Sequence, residues 1–281
     1  MNTFTLSPTS QQLELKPGES YTGSLFIVNP SGAESDLHYS ASITPYGVVG
    51  ELYDADLATR TDHTQITDWI TIDEPSGIVQ PNGVKELKYT INVPLDAPAG
   101  GQYATVAVRN AEETKSDSGF SVNNIFEITS IIYADIAGTT IKEGKILDNS
   151  VPSIVLTPPV TVTATFENTG NVHQVATIDI RVTNFFTGDV IYPRENIDNP
   201  TFSEVIMPDT TRLAARNISD LPALGVFHIS QTVAYSSDTS TVEKTIILCP
   251  LWFLILAIFT ITIIILALKA SLARRRARLS V

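Results

Sequence analysis

The sequence predicts an all-β protein with two β-sandwich domains in tandem, followed by a single transmembrane helix. Three observations support this prediction. Apolar and polar residues alternate through most of the chain, turn-forming residues separate the alternating runs, and one uninterrupted apolar segment lies near the C-terminus. The length of 281 residues suits two domains and a membrane segment better than one small domain.

Alternating runs identify the strands. Apolar residues occupy alternate positions in residues 87–93, 160–166, 178–182 and 227–235, and only Gln231 interrupts the last of these runs. A period of two places one face of a strand in a core and the other in water, as in antiparallel sheets. Each run therefore predicts a half-buried strand, and no sustained helical periodicity occurs before residue 246.

Turn-forming residues separate these strands. Pro17-Gly18, residues 81–83 (PNG), residues 168–171 (NTGN) and residues 187–189 (TGD) supply the backbone angles that tight turns need. Many short strands joined by such turns are typical of β-sandwiches.

The strand pattern also predicts the domain boundaries. We expect a first sandwich at residues 1–138, a second at residues 139–240 and a juxtamembrane linker at residues 241–245. The polar residues 45–68 predict a long loop in the first domain, and the Ser- and Pro-rich residues 148–159 predict a loop in the second. Because the linker is short, the second domain should lie close to the bilayer.

The apolar segment Ile246–Leu268 predicts a transmembrane helix. Its 23 residues carry no charge, and a helix of that length spans about 34 Å, enough to cross a hydrocarbon core of roughly 30 Å. A buried core helix is the alternative, but such helices are rarely apolar on every face. Pro250 suits the first turn, and Trp252 suits a membrane interface. The lipid bilayer is therefore the predicted partner of Ile246–Leu268.

Charges beside this segment predict its direction. The basic tail at residues 269–281 holds five cations, whereas Lys244 is the only cation just before the segment. The positive-inside rule places this tail in the cytoplasm and the preceding domains outside, so we expect a single-pass protein of the cell membrane. The first residues contain no apolar stretch, so we expect a leader upstream of Met1 or already removed. The alternative is a tail-anchored protein whose domains face the cytoplasm. That orientation would place the arginines outside the cell, against the positive-inside rule.

Charge and cysteine content limit the possible functions. The whole chain carries a net charge of −12, and removing the five cations of the tail leaves −17 on residues 1–268. Such an acidic body argues against nucleic acid as a partner, because phosphate binding needs clustered Lys and Arg. Cys249 is the only cysteine, so no intramolecular disulfide can form and core burial must stabilise the fold.

Several segments resemble a known bacterial family. Residues 4–29 contain FTLSP, LELKPGES and SLFIVNP, and residues 69–108 run WITIDEPSGIVQPNGVKELKYTINVPLDAPAGGQYATVAV. They resemble the N-terminal immunoglobulin-like domain of bacterial cell-surface proteins of the WxL-interacting type. Residues 164–172 (ATFENTGNV), 206–212 (IMPDTTR) and 224–235 (LGVFHISQTVAY) resemble the second immunoglobulin-like domain of that architecture.

The resemblance implies two immunoglobulin-like domains and a wall-associated scaffold of the bacterial envelope. It implies that the first domain binds peptidoglycan and the second binds partner surface proteins. It transfers no individual binding residue, so the binding residues stay unknown at this stage.

The sequence contains no set of residues that predicts catalysis. Its histidines are His38, His63, His173 and His228, and none lies in a known catalytic or zinc-binding motif. His38 and His228 fall in strand patterns, and His173 follows a turn. We therefore predict no catalytic residue, no metal ligand, no cofactor and no enzymatic activity.

Two weaker hypotheses concern the polar loop. Asp54, Asp56 and Asp62, with Glu51 nearby, could offer oxygen ligands to calcium, but their spacing does not match an EF-hand, and a solvated loop is favoured. Tyr46 and Tyr53 flank the same loop and could stack on sugar rings.

Two further residues have simple interpretations. Trp69 precedes an alternating run, which favours a core or domain-edge position over a ligand platform. Asn217-Ile218-Ser219 matches a glycosylation sequon, which matters only in a cell that glycosylates such sites.

The sequence therefore predicts a membrane-anchored binding or scaffold protein of the bacterial cell surface. Wall glycan or other surface proteins are its expected partners, and addition of a strand at an exposed sheet edge is one physical way to bind a protein. The alternative is a structural spacer or an assembly subunit of a surface appendage, without a specific ligand.

Overall fold

A computed structural model of the protein describes residues 4–33, 35–50, 52–56, 60–110, 125–194, 199 and 201–279, with only the helix path for residues 271–279. These residues form twenty strands, one short 3-10 helix at Gln65–Asp68 and one α-helix, α1, at Leu251–Leu279. The strands are β1 Thr5–Ser7, β2 Ser10–Leu15, β3 Ser20–Val28, β4 Leu37–Pro45, β5 Gly47–Val49, β6 Leu52–Asp54, β7 Ile70–Ile72, β8 Ser76–Val79, β9 Val84–Asn92, β10 Gly100–Asn110, β11 Glu127–Ile136, β12 Gly144–Ser150, β13 Ile154–Val155, β14 Val160–Asn168, β15 Gln174–Asn184, β16 Val190–Tyr192, β17 Thr201–Ile206, β18 Thr210–Ile218, β19 Gly225–Tyr235 and β20 Asp238–Leu248.

The first eleven strands build one sandwich. One sheet has the order β1-β3-β9-β7, the other has the order β2-β11-β10-β4-β8, and β5 and β6 form a separate hairpin. The alternation predicted at residues 87–93 is confirmed, because Leu87, Tyr89 and Ile91 of β9 are buried while the residues between them are more exposed. They share a core with Leu25 of β3 and Val106 of β10.

The later strands build the second sandwich. One sheet has the order β12-β14-β18, and the other has the order β13-β20-β19-β15-β16 with β17 also paired to β15. Alternate residues of β14, β15 and β19 are buried, as predicted. Gln231 occupies a core position of β19, where its side-chain amide donates to the Thr163 carbonyl at 3.0 Å. The predicted fold class is confirmed: the chain is all-β, with two immunoglobulin-like sandwiches and one apolar C-terminal helix.

Contacts divide the chain into two compact units. Unit 1 comprises Met1–Lys145, Glu167–Val175 and Val205–Arg212, and unit 2 comprises Ile146–Phe166, Ala176–Glu204 and Leu213–Val281. The domain boundary that we place between residues 138 and 139 stays a prediction.

The predicted linker and the predicted start of the helix are wrong. Residues 241–245 lie within β20, which also includes Ile246 and Leu248, both fully buried. The helix begins at Leu251, not at residue 246. Ile246 and Leu248 continue the alternation of β20, and because they are as apolar as the helix that follows, composition did not reveal where the strand ends.

The two predicted loops contain regular structure. Residues 45–68 include β5, β6 and the 3-10 helix, and residues 148–159 include the end of β12 and all of β13. These elements are two to four residues long within the predicted loops, too short to produce a periodic pattern in the sequence.

Candidate functional site

One long edge of the second sandwich has no paired strand along most of its length. Strand β20 pairs with β19 along its whole length, from the Tyr235–Asp238 pair to the Gly225–Leu248 pair. On its other side, β13 pairs with β20 only at Ile247 and Leu248. Among the described residues, the stretch Asp238–Ile246 therefore has a strand neighbour on one side only.

Hydrogen bonds reveal which backbone groups of β20 face this open edge. The amide of Ile247 donates to the Ser153 carbonyl and the amide of Cys249 donates to the Val155 carbonyl, both at 3.0 Å. Backbone groups of successive strand residues point to opposite edges, so every second residue before Ile247 faces the same way. The open edge therefore presents the amides and carbonyls of these four residues: Thr239, Thr241, Glu243 and Thr245.

Neighbouring side chains shape a groove at the hairpin end of this edge. The groove has a volume of about 350 Å³ and lies between residues 146–149 of β12 and residues 238–240 of β20. The Asn149 side-chain amide donates to the Ser240 carbonyl at 3.0 Å and fixes the floor of the groove. Leu147 is 49 % exposed beside it and offers an apolar contact to an incoming chain.

The corresponding edge in the first sandwich is covered. There, β2 runs parallel to β11 and pairs with six of its residues, Ile131–Ile136. In the second sandwich the matching parallel strand, β13, forms only two such pairs. The difference leaves Asp238–Ile246 of β20 without a paired strand on that side, where the Asn149 side chain and the Val151 carbonyl contact Ser240 and Lys244.

A second feature is a cluster of aromatic side chains in unit 1. Tyr46 and Tyr103 are buried, and Tyr133 packs edge-to-face against both with ring centres 5.9 Å apart. Tyr53 stacks on Tyr46, with ring planes 16° apart. The guanidinium of Arg212 lies 4.2 Å from the centre of the Tyr53 ring, a cation–π contact. The aromatic rings of this cluster therefore pack against side chains of the same unit.

A small cavity of about 310 Å³ adjoins this cluster within unit 1. Its lining combines Tyr46, Tyr103 and Met207 with the polar side chains of His63 and Asp209. The volume is at the lower end of the range for ligand sites. It suits a single side chain or a small molecule better than an extended glycan.

Two histidines flank Tyr103. The His63 Nδ1 atom lies 2.9 Å from the Gly101 carbonyl oxygen, and its Nε2 atom lies 3.2 Å from an Asp209 carboxylate oxygen. Both partners are hydrogen-bond acceptors. On the other side, the backbone amide of His173 donates to the Tyr103 hydroxyl at 2.8 Å.

Burial controls the ionisation of this cluster. It raises the pKa of Tyr103 and of Tyr46 far above the usual value, so both hydroxyls stay neutral donors or acceptors. Burial also lowers the pKa of His173, although the nearby Asp135 carboxylate acts in the opposite direction. Neutral His173 is therefore the favoured form at physiological pH.

The structure does not support sugar stacking by Tyr46. This side chain is 5 % exposed, and its ring stacks on Tyr53 rather than on solvent. Trp69 is 9 % exposed and belongs to the core of the first sandwich, which confirms its predicted core position.

The acidic residues proposed for calcium do not form a metal site in the described part of the chain. Asp54 Oδ1 accepts a hydrogen bond from the Asp56 backbone amide at 2.9 Å, and no group of three or more His, Cys, Asp or Glu side chains suited to a metal occurs there. Glu51 lies outside the described residues.

The remaining candidate residues lie on different elements of the chain. His38 is exposed on β4, and His228 is partly exposed on β19, so both are sheet-face residues as predicted. His173 directly follows a turn and precedes β15. Asn217 lies in β18, where its side-chain oxygen accepts a hydrogen bond from the Thr161 hydroxyl at 2.7 Å.

Sequence reasoning missed the open edge of β20 and the contacts of Tyr103. The alternation from residue 238 to residue 248 indicates a strand, and the polar residues of SSDTSTVEKT hid it. No sequence signal pairs Tyr103 with His173, since the two lie 70 positions apart.

The helix α1 has the length and composition to cross a membrane between Leu251 and Ala270, and within that described stretch the apolar window is not buried by the protein. The helix continues to Leu279 and includes most of the basic tail. Its 29 residues would extend about 44 Å, longer than a hydrocarbon core of roughly 30 Å, so its last turns would lie beyond the apolar layer.

Fold and site together define a class: a β-sandwich protein with one apolar C-terminal helix and an open strand edge. No protein-family model matches the chain, and no curated protein matches it.

Solved structures with a similar strand arrangement include bacterial fimbrial chaperones. A chain of the Salmonella enterica complex of SafA pilin with the SafB chaperone is 12 % identical, covers 88 % of this chain and 97 % of its own length, and has a TM-score of 0.42. The E. coli chaperone DraB is 11 % identical, with coverages of 88 % and 97 % and a TM-score of 0.40. A chain of the CsuC–CsuE complex of Acinetobacter baumannii is 12 % identical, with coverages of 86 % and 98 % and a TM-score of 0.41. Similarity at this level assigns no function.

Proposed function

We propose that this chain is a membrane-anchored, non-catalytic protein of the bacterial cell surface that binds an extended segment of another surface protein. The open edge of β20 carries this proposal, because four of its residues direct backbone donors and acceptors away from β19. A guest strand there would satisfy these groups with main-chain hydrogen bonds, and the groove beside Leu147 would hold one of its side chains.

A protein partner fits the described surface better than wall glycan does. Stacking on a sugar ring requires an open aromatic face, and in this chain the rings of Tyr46 and Tyr103 pack against Tyr133. Outside α1, the exposed aromatic side chains of the described residues are three phenylalanines: Phe26, Phe185 and Phe186. Peptidoglycan binding, which the family resemblance implies, would have to use these three phenylalanines, and Phe185 and Phe186 already pack edge-to-face against each other with ring centres 5.3 Å apart.

The helix α1 is the proposed membrane anchor, and the cations at its C-terminal end predict the orientation of the chain in the membrane. Five cations follow Leu268, so the tail lies in the cytoplasm and the sandwiches lie outside. This arrangement agrees with the resemblance to WxL-interacting surface proteins. An acidic body of net charge −17 on residues 1–268 argues against nucleic acid as a partner.

The alternative role is an assembly subunit that delivers proteins to a surface appendage. A guest strand that is later released makes the same hydrogen bonds at β20 as one that stays. The open edge supports both roles, and the lifetime of the complex distinguishes them.

A variant of β20 tests the proposal. Glu243→Pro removes an amide that faces the open edge, so the bond to a guest strand is lost while the pairing with β19 is kept. Glu243→Ala is the matched control, since it removes the same carboxylate and keeps the amide. A photo-reactive amino acid at Leu147 of the full chain, produced in intact cells, would report the neighbour.

We expect a protease-sensitive adduct at Leu147 in the parent chain and in the Glu243→Ala variant, and its loss in the Glu243→Pro variant. An adduct of equal yield in all three chains would contradict binding at this edge. An adduct that wall hydrolases digest and proteases leave intact would identify glycan as the partner and overturn the proposal, as would the absence of any adduct.

A further inference from the structure

Exposed apolar side chains gather at one end of the second sandwich, within unit 2. Phe186 is 77 % exposed, Ile154 is 67 % exposed and Phe185 is 54 % exposed. Ile247, Leu156 and Leu224 are each exposed by more than 40 %. We call these six residues the apolar rim. Single exposed apolar residues are common on proteins, but six at one end of a sheet are not scattered.

The strand register places the rim at one level of the sheet. Ile154 pairs with Ile247 across β13 and β20, and Leu224 directly precedes Gly225, which pairs with Leu248. The Phe185 amide donates to the Val226 carbonyl at 3.1 Å, and Val226 pairs with Ile247. Since a strand rises about 3.3 Å per residue, these positions lie within a few ångströms of the level of Leu248.

The membrane helix leaves the sheet at this same level. Strand β20 ends at Leu248, the Cys249 amide is still bonded to the Val155 carbonyl, and α1 begins at Leu251. Only Pro250 separates the last tethered residue from the helix, and its carbonyl already accepts from the amides of Phe253 and Leu254. One residue spans at most about 3.8 Å, so the rim has no slack to move away from the start of α1.

We propose that the apolar rim inserts into the lipid interface around the start of α1, as a second contact between the protein and the bilayer. This inference rests on the proposed anchoring of α1 in a membrane. Lipid is the expected partner of the rim, because the rim lies at the level where the apolar helix α1 enters the bilayer. The rim and α1 would then contact one continuous lipid surface. Removal of its apolar surface from water favours the contact.

The charge of the rim predicts the type of lipid contact. Asp189 lies in the same hairpin as Phe185 and Phe186, and its carboxylate accepts a hydrogen bond from the Thr187 hydroxyl at 2.6 Å. The six residues of the rim carry no charge. Insertion should therefore depend on apolar contact and not on anionic headgroups, so high salt should leave it unchanged.

Fluorescent labels on the full chain test this contact. In a Cys249→Ser background, an environment-sensitive label would be attached to Phe186→Cys in the rim, to Ser237→Cys in the turn at the opposite end of the β19–β20 hairpin, and to Ile258→Cys in α1. Ile258 is 66 % exposed, and the turn joining β19 to β20 is exposed, so each label can be tolerated. The chain would be placed in phosphatidylcholine vesicles that carry nitroxide quenchers on the lipids.

We expect quenching and blue-shifted emission at positions 186 and 258, and neither at position 237. The rim label should lose its quenching in a chain that also carries Phe185→Ser and Ile154→Ser. Quenching at 258 without quenching at 186 would overturn the proposed contact while leaving the anchor intact. An aqueous signal at 258 would instead contradict the anchor itself, and quenching at 237 would mean that the sandwich lies flat on the lipid, which also contradicts the proposal.

Discussion

Tyr103 shows how one buried side chain connects distant parts of unit 1. Its ring packs against Tyr133 and His173, and its hydroxyl accepts the backbone amide of His173 at 2.8 Å. Tyr103 is fully buried and His173 is partly buried, so this hydrogen bond is shielded from water on the Tyr103 side.

We predict that Tyr103→Phe destabilises the protein by about 1–3 kcal/mol, because it leaves the partly buried His173 amide without its acceptor. The measurement is denaturant unfolding of the full chain in nanodiscs, followed by Trp69 fluorescence in a Trp252→Phe background. Tyr39→Phe is the control, since the Tyr39 hydroxyl makes only a 3.3 Å bond to the Glu74 carbonyl and should matter less. Equal losses in the two variants would contradict the special role of Tyr103.

His173 makes stability depend on pH. Burial lowers its pKa in the folded protein, so the unfolded chain, with an ordinary value of about 6.5, binds the proton more readily. The contribution of His173 is therefore complete above about pH 6.5 and is lost as the pH falls towards the lowered pKa of the folded state. We predict that the free energy of unfolding falls from neutral to mildly acidic pH.

Comparison with His173→Gln isolates this effect, because the other three histidines remain in both proteins. We expect the variant to have a flatter stability profile between about pH 7 and about pH 5 in the same unfolding assay. A steeper profile in the variant would mean that the Asp135 carboxylate, which favours the charged ring, outweighs burial.

At the scale of elements, β20 combines a structural edge and an open edge. Its even-numbered residues direct their amides to β19, and its odd-numbered residues from Thr239 to Thr245 direct theirs outward. Lys244 also lies in this strand, and its ammonium group donates to the Val151 carbonyl at 2.8 Å. Charged side chains at a sheet edge discourage aggregation, so Lys244 should limit unwanted pairing of β20.

Proline substitutions in β20 test this assignment of faces. We predict that Val242→Pro, which removes an amide directed at β19, destabilises the protein by at least about 1 kcal/mol, the value of one ladder hydrogen bond. Glu243→Pro should lower the free energy of unfolding clearly less, because the Glu243 amide has no strand neighbour. Denaturant unfolding of the two variants is the measurement. A larger loss of stability for Glu243→Pro would mean that the Glu243 amide, and not the Val242 amide, points to β19.

At the scale of the whole molecule, the acidic body precedes α1 in sequence, and the five cations lie in the last turns of that helix, after its apolar part. If α1 crosses the membrane as proposed, the sandwiches face outward and carry the net charge of −17 away from the cell.

Protease treatment of cells tests this topology. We predict that protease added to intact cells removes residues 1–245 and leaves an epitope fused after Val281 protected, since only lysis exposes the cytoplasmic side. In lysed cells both regions should be degraded. Protection of the sandwiches in intact cells, with cleavage only after lysis, would mean that they face the cytoplasm and would remove the basis for a surface role.

The sequence alone determined the fold class, most strand faces and the existence of an apolar helix, because alternation and uninterrupted apolar runs are local patterns. It predicted the buried faces of β9, β14 and β15 and the core position of Trp69. It did not reveal that Ile246 and Leu248 end a strand instead of beginning a helix, because an apolar residue suits either environment.

Only the tertiary structure decided which edge stays open and which rings meet. The open stretch of β20 exists because β13 pairs with two of its residues, and the rim exists because four separate chain segments reach one level of a sheet. Tyr46 was a candidate sugar-binding residue in the sequence, and packing against Tyr53 and Tyr133 turned it into a core residue. Pairing and packing join residues that are far apart in sequence, so no local pattern encodes them.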